Sequence, residues 1–411
     1  MKRDSLAKNT NMLLLMTVSN YLIGFVTFPY LARVLGSSAY GIVGFCTSIS
    51  VVIQIIVDYG FNIYATKLIN KCRNDDLRVI GIFSDVFSIK VLISFLVLCA
   101  CFVFYKYYNN KIEIYTELLA LYIVSGCVAA WFPDFLYRGL EKFSRIAYRT
   151  FFVKIAYLIL VLKLVKSNND IYILPILLLT CNAICLIISL IDIRHNFYIS
   201  VRIPSINNIL RILKDGSVYF VSRAASIVGA NISQIVMGVL IPGSVGFGYF
   251  ISDLNLINAG RALCSAVSDA LYPYMLRTKK YSVLLRVAIC GTGLIVCGSI
   301  VVFLISEWLC GFIFGAEYRA GAEFLILLLP LVLISYLNYI FGFPALSPIG
   351  KDFYANVTVV FGLCAQICMI SFAYYFDKID IHMICYILII SEVLVLAFRV
   401  YLFFKYAKQR G

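Results

Sequence analysis

Long apolar stretches separated by short polar connections run through the whole sequence. Stretches of spanning length fall at about 11–34, 40–65, 82–105, 114–137, 147–166 and 171–193. Six more follow at about 216–241, 246–273, 283–306, 322–343, 355–376 and 381–404. About 20 apolar residues cross about 30 Å of hydrocarbon as a helix. The pattern therefore predicts a polytopic membrane protein of about twelve transmembrane helices. The first stretch follows Lys2, Arg3 and Lys8 as a signal peptide would, but it is too long for such a segment and no A-x-A site follows. It is expected to stay as the first span.

Composition agrees. Of 411 residues, 62% are hydrophobic and 14% charged, and mean hydropathy is +0.93. A soluble domain is about 45–50% apolar and about 25% charged, so a soluble enzyme is excluded, as is a disordered chain. The net charge of +14 does not point to nucleic acid, because the basic residues recur in small groups between apolar runs rather than on one patch. Alternate connections, with both ends of the chain, hold 24 Lys and Arg against 7 in the others. That bias places both termini in the cytoplasm. The 14 Cys lie mostly inside apolar runs, no C-x-x-C occurs, and His195 and His382 are the only histidines. No metal or other cofactor is expected.

The chain echoes itself. VLGSSAYGIVGF at 34–45 aligns without gaps on VLIPGSVGFGYF at 239–250, each joining the first two spans of a six-span half. A second echo follows the fourth span of each half, where Phe132, Pro133 and Gly139 match Phe343, Pro344 and Gly350. Together they predict two pseudo-symmetric six-helix lobes around a central cavity. The N-terminal lobe would be 1–193, the cytoplasmic linker 194–215, and the C-terminal lobe with its tail 216–411. The remaining connections are short, and the acids opposite the basic set lack paired-carboxylate spacing, which argues against an enzyme.

Ionisable groups inside spans carry the functional signal, because each costs about 2.5–3.5 kcal/mol unless it meets a cavity or a partner. Arg261 lies deep in the eighth span, where it lines a cavity or pairs with an acid such as Asp253. Arg223 sits about two turns into the seventh span with Ser226, Ala230, Gln234 and, at the edge, Asn231 on its face. Lys90 and Lys154 are further candidate cavity cations, with snorkelling to the interface as the alternative. Asn20 belongs to a mild polar stripe on the first span. Asp58 shares a face with Gln54 on the second span, and Glu392 lies mid-way along the twelfth; these two acids are candidates for ion coupling, although a neutral Glu392 could be buried without any function.

FPYLARVLGSSAYGIVGF (28–45) and DYGFNIYATK (58–67) resemble the N-terminal signature of polysaccharide transporters, the bacterial repeat-unit flippases. WFPDFLYRGLEKF (131–143), DALYPYM (269–275), FGAEYRAGAEFLILLLP (314–330) and LSPIGKDF (346–353) extend the resemblance in the family's order over essentially the whole chain. The family belongs to the superfamily of multidrug, oligosaccharidyl-lipid and polysaccharide exporters. The resemblance implies two six-helix lobes, alternating access, and a location in the bacterial inner membrane. The implied cargo is an undecaprenyl-diphosphate-linked oligosaccharide, flipped outward for O-antigen or capsule assembly. It also implies contact with membrane lipids, and a polysaccharide polymerase and chain-length regulator as partners. Family members often carry a basic residue just after the position of Asp253, where this chain has Leu254 and Asn255. A multidrug exporter of the same superfamily and a non-transporting scaffold of polysaccharide assembly are the alternative readings.

Overall fold

The computed structural model describes residues 6–108, 115–196 and 204–407. Of the basic residues that set the orientation, Lys2, Arg3, Lys8, Lys111, Arg202, Lys408 and Arg410 lie outside the described backbone or side chains. Among the described residues every regular element is helical. In chain order these are α1 (Leu6–Asp58), α2 (Phe61–Lys71), α3 (Asp76–Tyr108), α4 (Thr116–Ala130), α5 (Asp134–Gly139), α6 (Phe143–Leu164), α7 (Ile173–Asn196) and α8 (Ile206–Leu240). There follow α9 (Val245–Thr278), α10 (Tyr281–Leu304), α11 (Ser306–Phe314), α12 (Ala322–Leu328), α13 (Pro330–Phe341), α14 (Phe343–Leu346), α15 (Asp352–Tyr375) and α16 (Ile381–Ala407). The chain is an all-α polytopic membrane protein.

Among the described residues each of the twelve apolar stretches is mainly helical. Nine segments of the described residues are long and apolar enough to cross a membrane by length and composition alone. The difference has two physical causes. The first two stretches run on as one segment, because α1 is broken only at Gly36, with φ 73° and ψ 168°. That left-handed φ is open to glycine at little steric cost. The other two cases are α6, which carries Arg145, Arg149, Lys154 and Lys163, and α9, which carries Asp253, Arg261, Asp269 and Arg277. Their polar content dilutes the apolar signal.

The helices form two compact units. The first holds the described residues up to Tyr30 together with Phe45–Ile227; the second holds Leu31–Gly44 and the described residues from Val228. In the first unit, α2 packs on α5, and α4 on α7. Phe61, Phe83, Phe135, Ile69 and Ile89 form its buried centre, with Phe83 stacked on Phe135 at 6.1 Å. In the second unit α13 packs against both α9 and α16, and α15 against α16. Met275, Leu284, Tyr336, Ile340, Leu346 and Phe403 are buried between them.

The 31–44 segment is strapped into the second unit along its length. Arg33 donates from Nε to the carbonyl of Ile313 at 3.0 Å and from Nη2 to that of Phe312. These are carbonyls at the end of α11, which a helix leaves without internal partners. The Tyr318 hydroxyl donates to the carbonyl of Ala32 at 3.2 Å, and Ser37 bonds the Glu317 carboxylate. Asn255 Nδ2 donates to the Tyr40 hydroxyl at 2.9 Å. The two echoed sequences meet here. Ser38 donates to the carbonyl of Gly243, and Gly248 lies so close to Ser37 that a Cβ on it would stand 1.9 Å from the Ser37 carbonyl oxygen. The second echo is also structural: a helix breaks before Pro133 and before Pro344, and the short α5 and α14 follow.

Candidate functional site

The sequence-predicted residues fall into two groups, one in each unit. In the first unit the Tyr59–Gly60 turn separates α1 from α2 and sets Asp58 and Asn62 side by side. Asn62 Nδ2 donates to Asp58 Oδ1 at 2.8 Å. From α3, Lys90 Nζ donates to the same Asp58 oxygen at 2.8 Å and to the carbonyl of Ala130 at 2.8 Å. Ala130 is the last residue of α4, so its carbonyl has no helical partner and is open to the ammonium. Lys90 is 0% exposed and Asp58 3%. Lys90 therefore does not snorkel; it closes an ion pair in the protein interior.

Beside this pair opens a cavity of about 120 Å³, with Gln54, Asp58, Asn62, Asp134 and Arg223 as its polar lining and Phe132 among its apolar residues. Asp134 opens α5 and pairs with Arg149 Nη2. Arg149 Nη1 also donates to Ser189 Oγ at 3.1 Å, and its guanidinium lies 4.6 Å from the Phe132 ring centroid. The charges can then be balanced. Lys90 answers Asp58 and Arg149 answers Asp134, while Arg223 has no ion-pair partner among the described residues. The cavity keeps one surplus positive charge. Three buried atoms around it lack hydrogen-bond partners: Asp58 Oδ2, Asn62 Oδ1 and Arg223 Nε.

In the second unit Arg261 Nη2 pairs with Glu392 Oε1 at 2.7 Å, and Asn338 Nδ2 donates to Glu392 Oε2 at 2.7 Å. Arg261 is thus joined to Glu392, not to Asp253. Asp253 is 1% exposed, and Cys310 Sγ approaches its Oδ1 at 3.5 Å. The two residues noted separately as cavity cation and coupling acid are one pair, with side chains 21% and 26% exposed. Arg399, counted with the cytoplasmic tail by its place in the sequence, is buried on α16. Its Nε donates to Thr358 Oγ1 at 2.9 Å and its Nη1 to the carbonyl of Asn338 at 2.6 Å.

Lys154 is half-buried on α6, with no ion pair among the described residues. Asn231 and Gln234 are half-buried on the part of α8 that belongs to the second unit. The side chain of Asn20 lies outside the described residues. Sequence reasoning missed Asn62, Asp134, Arg149 and Asn338 as site residues. The available signal was their charge or amide character next to helix breaks, as Pro133 precedes Asp134 and Gly60 precedes Asn62.

Comparison with known proteins supplies the family. A family model described as polysaccharide biosynthesis protein matches residues 6–279. The chain belongs to this family. A relative from Escherichia coli (strain K12), named "Putative O-antigen transporter", is 26% identical over 385 residues, covering 91% of this chain and 92% of its own length. A Shigella dysenteriae protein of the same name is 28% identical over 330 residues, covering 77% and 80%. The fold of this family member is shared with solved transporters. The lipid II flippase MurJ in an inward closed conformation matches with a TM-score of 0.74 at 12% identity, over 94% of this chain and 87% of that one. An inward-facing multidrug resistance MATE family transporter of the MOP superfamily matches with 0.66 at 13% identity, over 96% of each chain.

Proposed function

We propose that the protein flips undecaprenyl-diphosphate-linked oligosaccharide repeat units from the cytoplasmic to the outer leaflet of the bacterial inner membrane. The units would serve O-antigen or capsule assembly. Alternating access would come from two six-helix lobes, 1–193 and 216–411, joined through 194–215, with both termini cytoplasmic. A polymerase and chain-length regulator would take up the flipped unit. The family match and the relatives' names support a polysaccharide role.

The observation that carries the reading is the surplus cation. A diphosphate cannot cross hydrocarbon unassisted, and Arg223 offers a guanidinium that no acid neutralises among the described residues. Arginine suits phosphate because its planar fork pairs two oxygens and stays charged. A site for cationic drugs would need the opposite surplus. In the second unit Arg261, paired with Glu392, is a further candidate cation for the cargo.

The test is deletion with complementation in the native host. Loss of surface polysaccharide, with the lipid-linked unit accumulating in the inner leaflet, is the expected result. Arg223→Ala should complement poorly at normal protein level. Intact polysaccharide combined with raised sensitivity to cationic drugs would refute the proposal and favour a multidrug exporter.

A further inference from the structure

The unpartnered atoms around the first unit's cavity do not all suit a phosphate. Arg223 Nε is a donor, which phosphate oxygens satisfy. Asp58 Oδ2 and Asn62 Oδ1 are acceptors, and both are buried without a donor. The orientation of the Asn62 amide is fixed, because its Nδ2 donates to Asp58 Oδ1. Lys90 is already committed to Asp58 Oδ1 and to the carbonyl of Ala130, so it does not serve the second carboxylate oxygen. A phosphate placed against this wall would meet only oxygens, and an ammonium group would give Arg223 nothing to bond. Buried polar groups left unpaired are costly. The wall therefore calls for an occupant with O–H or N–H donors close to an anionic acceptor.

We propose that this cavity binds the sugar next to the diphosphate. Arg223 would hold a phosphate oxygen, and Asp58 Oδ2 with Asn62 Oδ1 would accept hydrogen bonds from hydroxyl or amide N–H groups on the first sugar ring. The proposal rests on the flippase reading and deepens it. The acids of the cavity, Asp58 and Asp134, are each held by a cation, Lys90 and Arg149, so both carboxylates stay in place as fixed acceptors. A carboxylate aimed at neighbouring donors is the stronger kind of hydrogen-bond acceptor. Phe132 gives the cavity an apolar wall, and its ring is anchored by Arg149. A cavity of about 120 Å³ has room for several waters, whose places a sugar ring would take.

The test compares two soluble probes on the purified full-length protein: farnesyl diphosphate, and farnesyl diphosphate carrying one N-acetylglucosamine. Two hydrogen bonds gained on the sugar predict binding about 10-fold tighter for the glycosylated probe. Asn62→Leu should cut that advantage, read as the ratio of the two affinities, to about 3-fold or less. The double variant Asp58→Asn with Lys90→Met, which removes the buried pair together, should also reduce it. Arg223→Ala should weaken both probes by the same factor. An unchanged sugar advantage in both the Asn62 and the double variant would overturn the subsite while leaving the flippase reading standing. Binding of neither probe to the wild-type protein would overturn both.

Discussion

Removing either charge of the buried Lys90–Asp58 pair should strongly destabilise the first unit. Lys90→Met leaves the Asp58 carboxylate at 3% exposure, bonded only by the Asn62 amide among the described residues. Breaking a buried ion pair from one side costs about 3–5 kcal/mol, because the remaining charge is left uncompensated. The first unit contains roughly 200 residues, and unfolding entropy near 60 °C is about 2.1 cal/mol/K per residue. One kcal/mol then corresponds to about 2.4 °C, so Lys90→Met should lower Tm by about 7–12 °C. Asp58→Asn should lower it comparably, since it leaves the buried ammonium without a balancing negative charge. Replacing both together removes the two charges at once and leaves mainly the unbonded carbonyl, for a loss of about 2–5 °C. Thermal unfolding of the detergent-purified protein, followed by tryptophan and tyrosine fluorescence, measures all three variants. A double variant as unstable as the singles would refute the reasoning, as would a Lys90→Met shift under about 2 °C.

Two other perturbations separate packing from function. Gly248→Ala drives a methyl against backbone atoms of Ser37, at 1.9 Å from its carbonyl oxygen, and overpacking of this kind costs about 1–3 kcal/mol or more; lower yield and a lower Tm should follow, and an unchanged Tm would mean the two segments part easily. Arg261→Met should abolish or strongly reduce surface polysaccharide at normal protein level. If Arg261 acts on cargo, adding Glu392→Gln will not restore it, whereas full restoration in the double variant would make the pair a packing device.

The apolar stretches were legible from the sequence because a spanning helix needs a long apolar run, and among the described residues each is mainly helical. A connection between the first two stretches was legible too, and the break at Gly36 falls within it. Arg223 was singled out by its small polar stripe, and it is the cation left unpaired beside a polar cavity. What periodicity does not encode is which faces meet. Lys90 and Asp58 were noted on separate spans, and nothing in either span's pattern says that their side chains close on each other through the end of α4. The same holds for Arg261, whose nearest acids in sequence, Asp253 and Asp269, are not its partners. Arg399 was misplaced for a related reason: it follows an apolar run and precedes a basic tail, yet it turns inward to the carbonyls of Asn338 and Ala355.

The strap at 31–44 has a consequence for biosynthesis. Its flanking helices belong to the first unit, but the groups it bonds lie at 243–255 and 312–318. A ribosome adds about 5–20 residues per second, so the stretch from 45 to 318 takes roughly 14–55 s to make. Ser38 and Tyr40 wait until 243–255 is made, and Arg33 and Ser37 until 312–317 is made. The start of the chain is thus among the last parts to be secured. A chain released before residue 243 would carry the 31–44 part of α1 with none of these partners to bond.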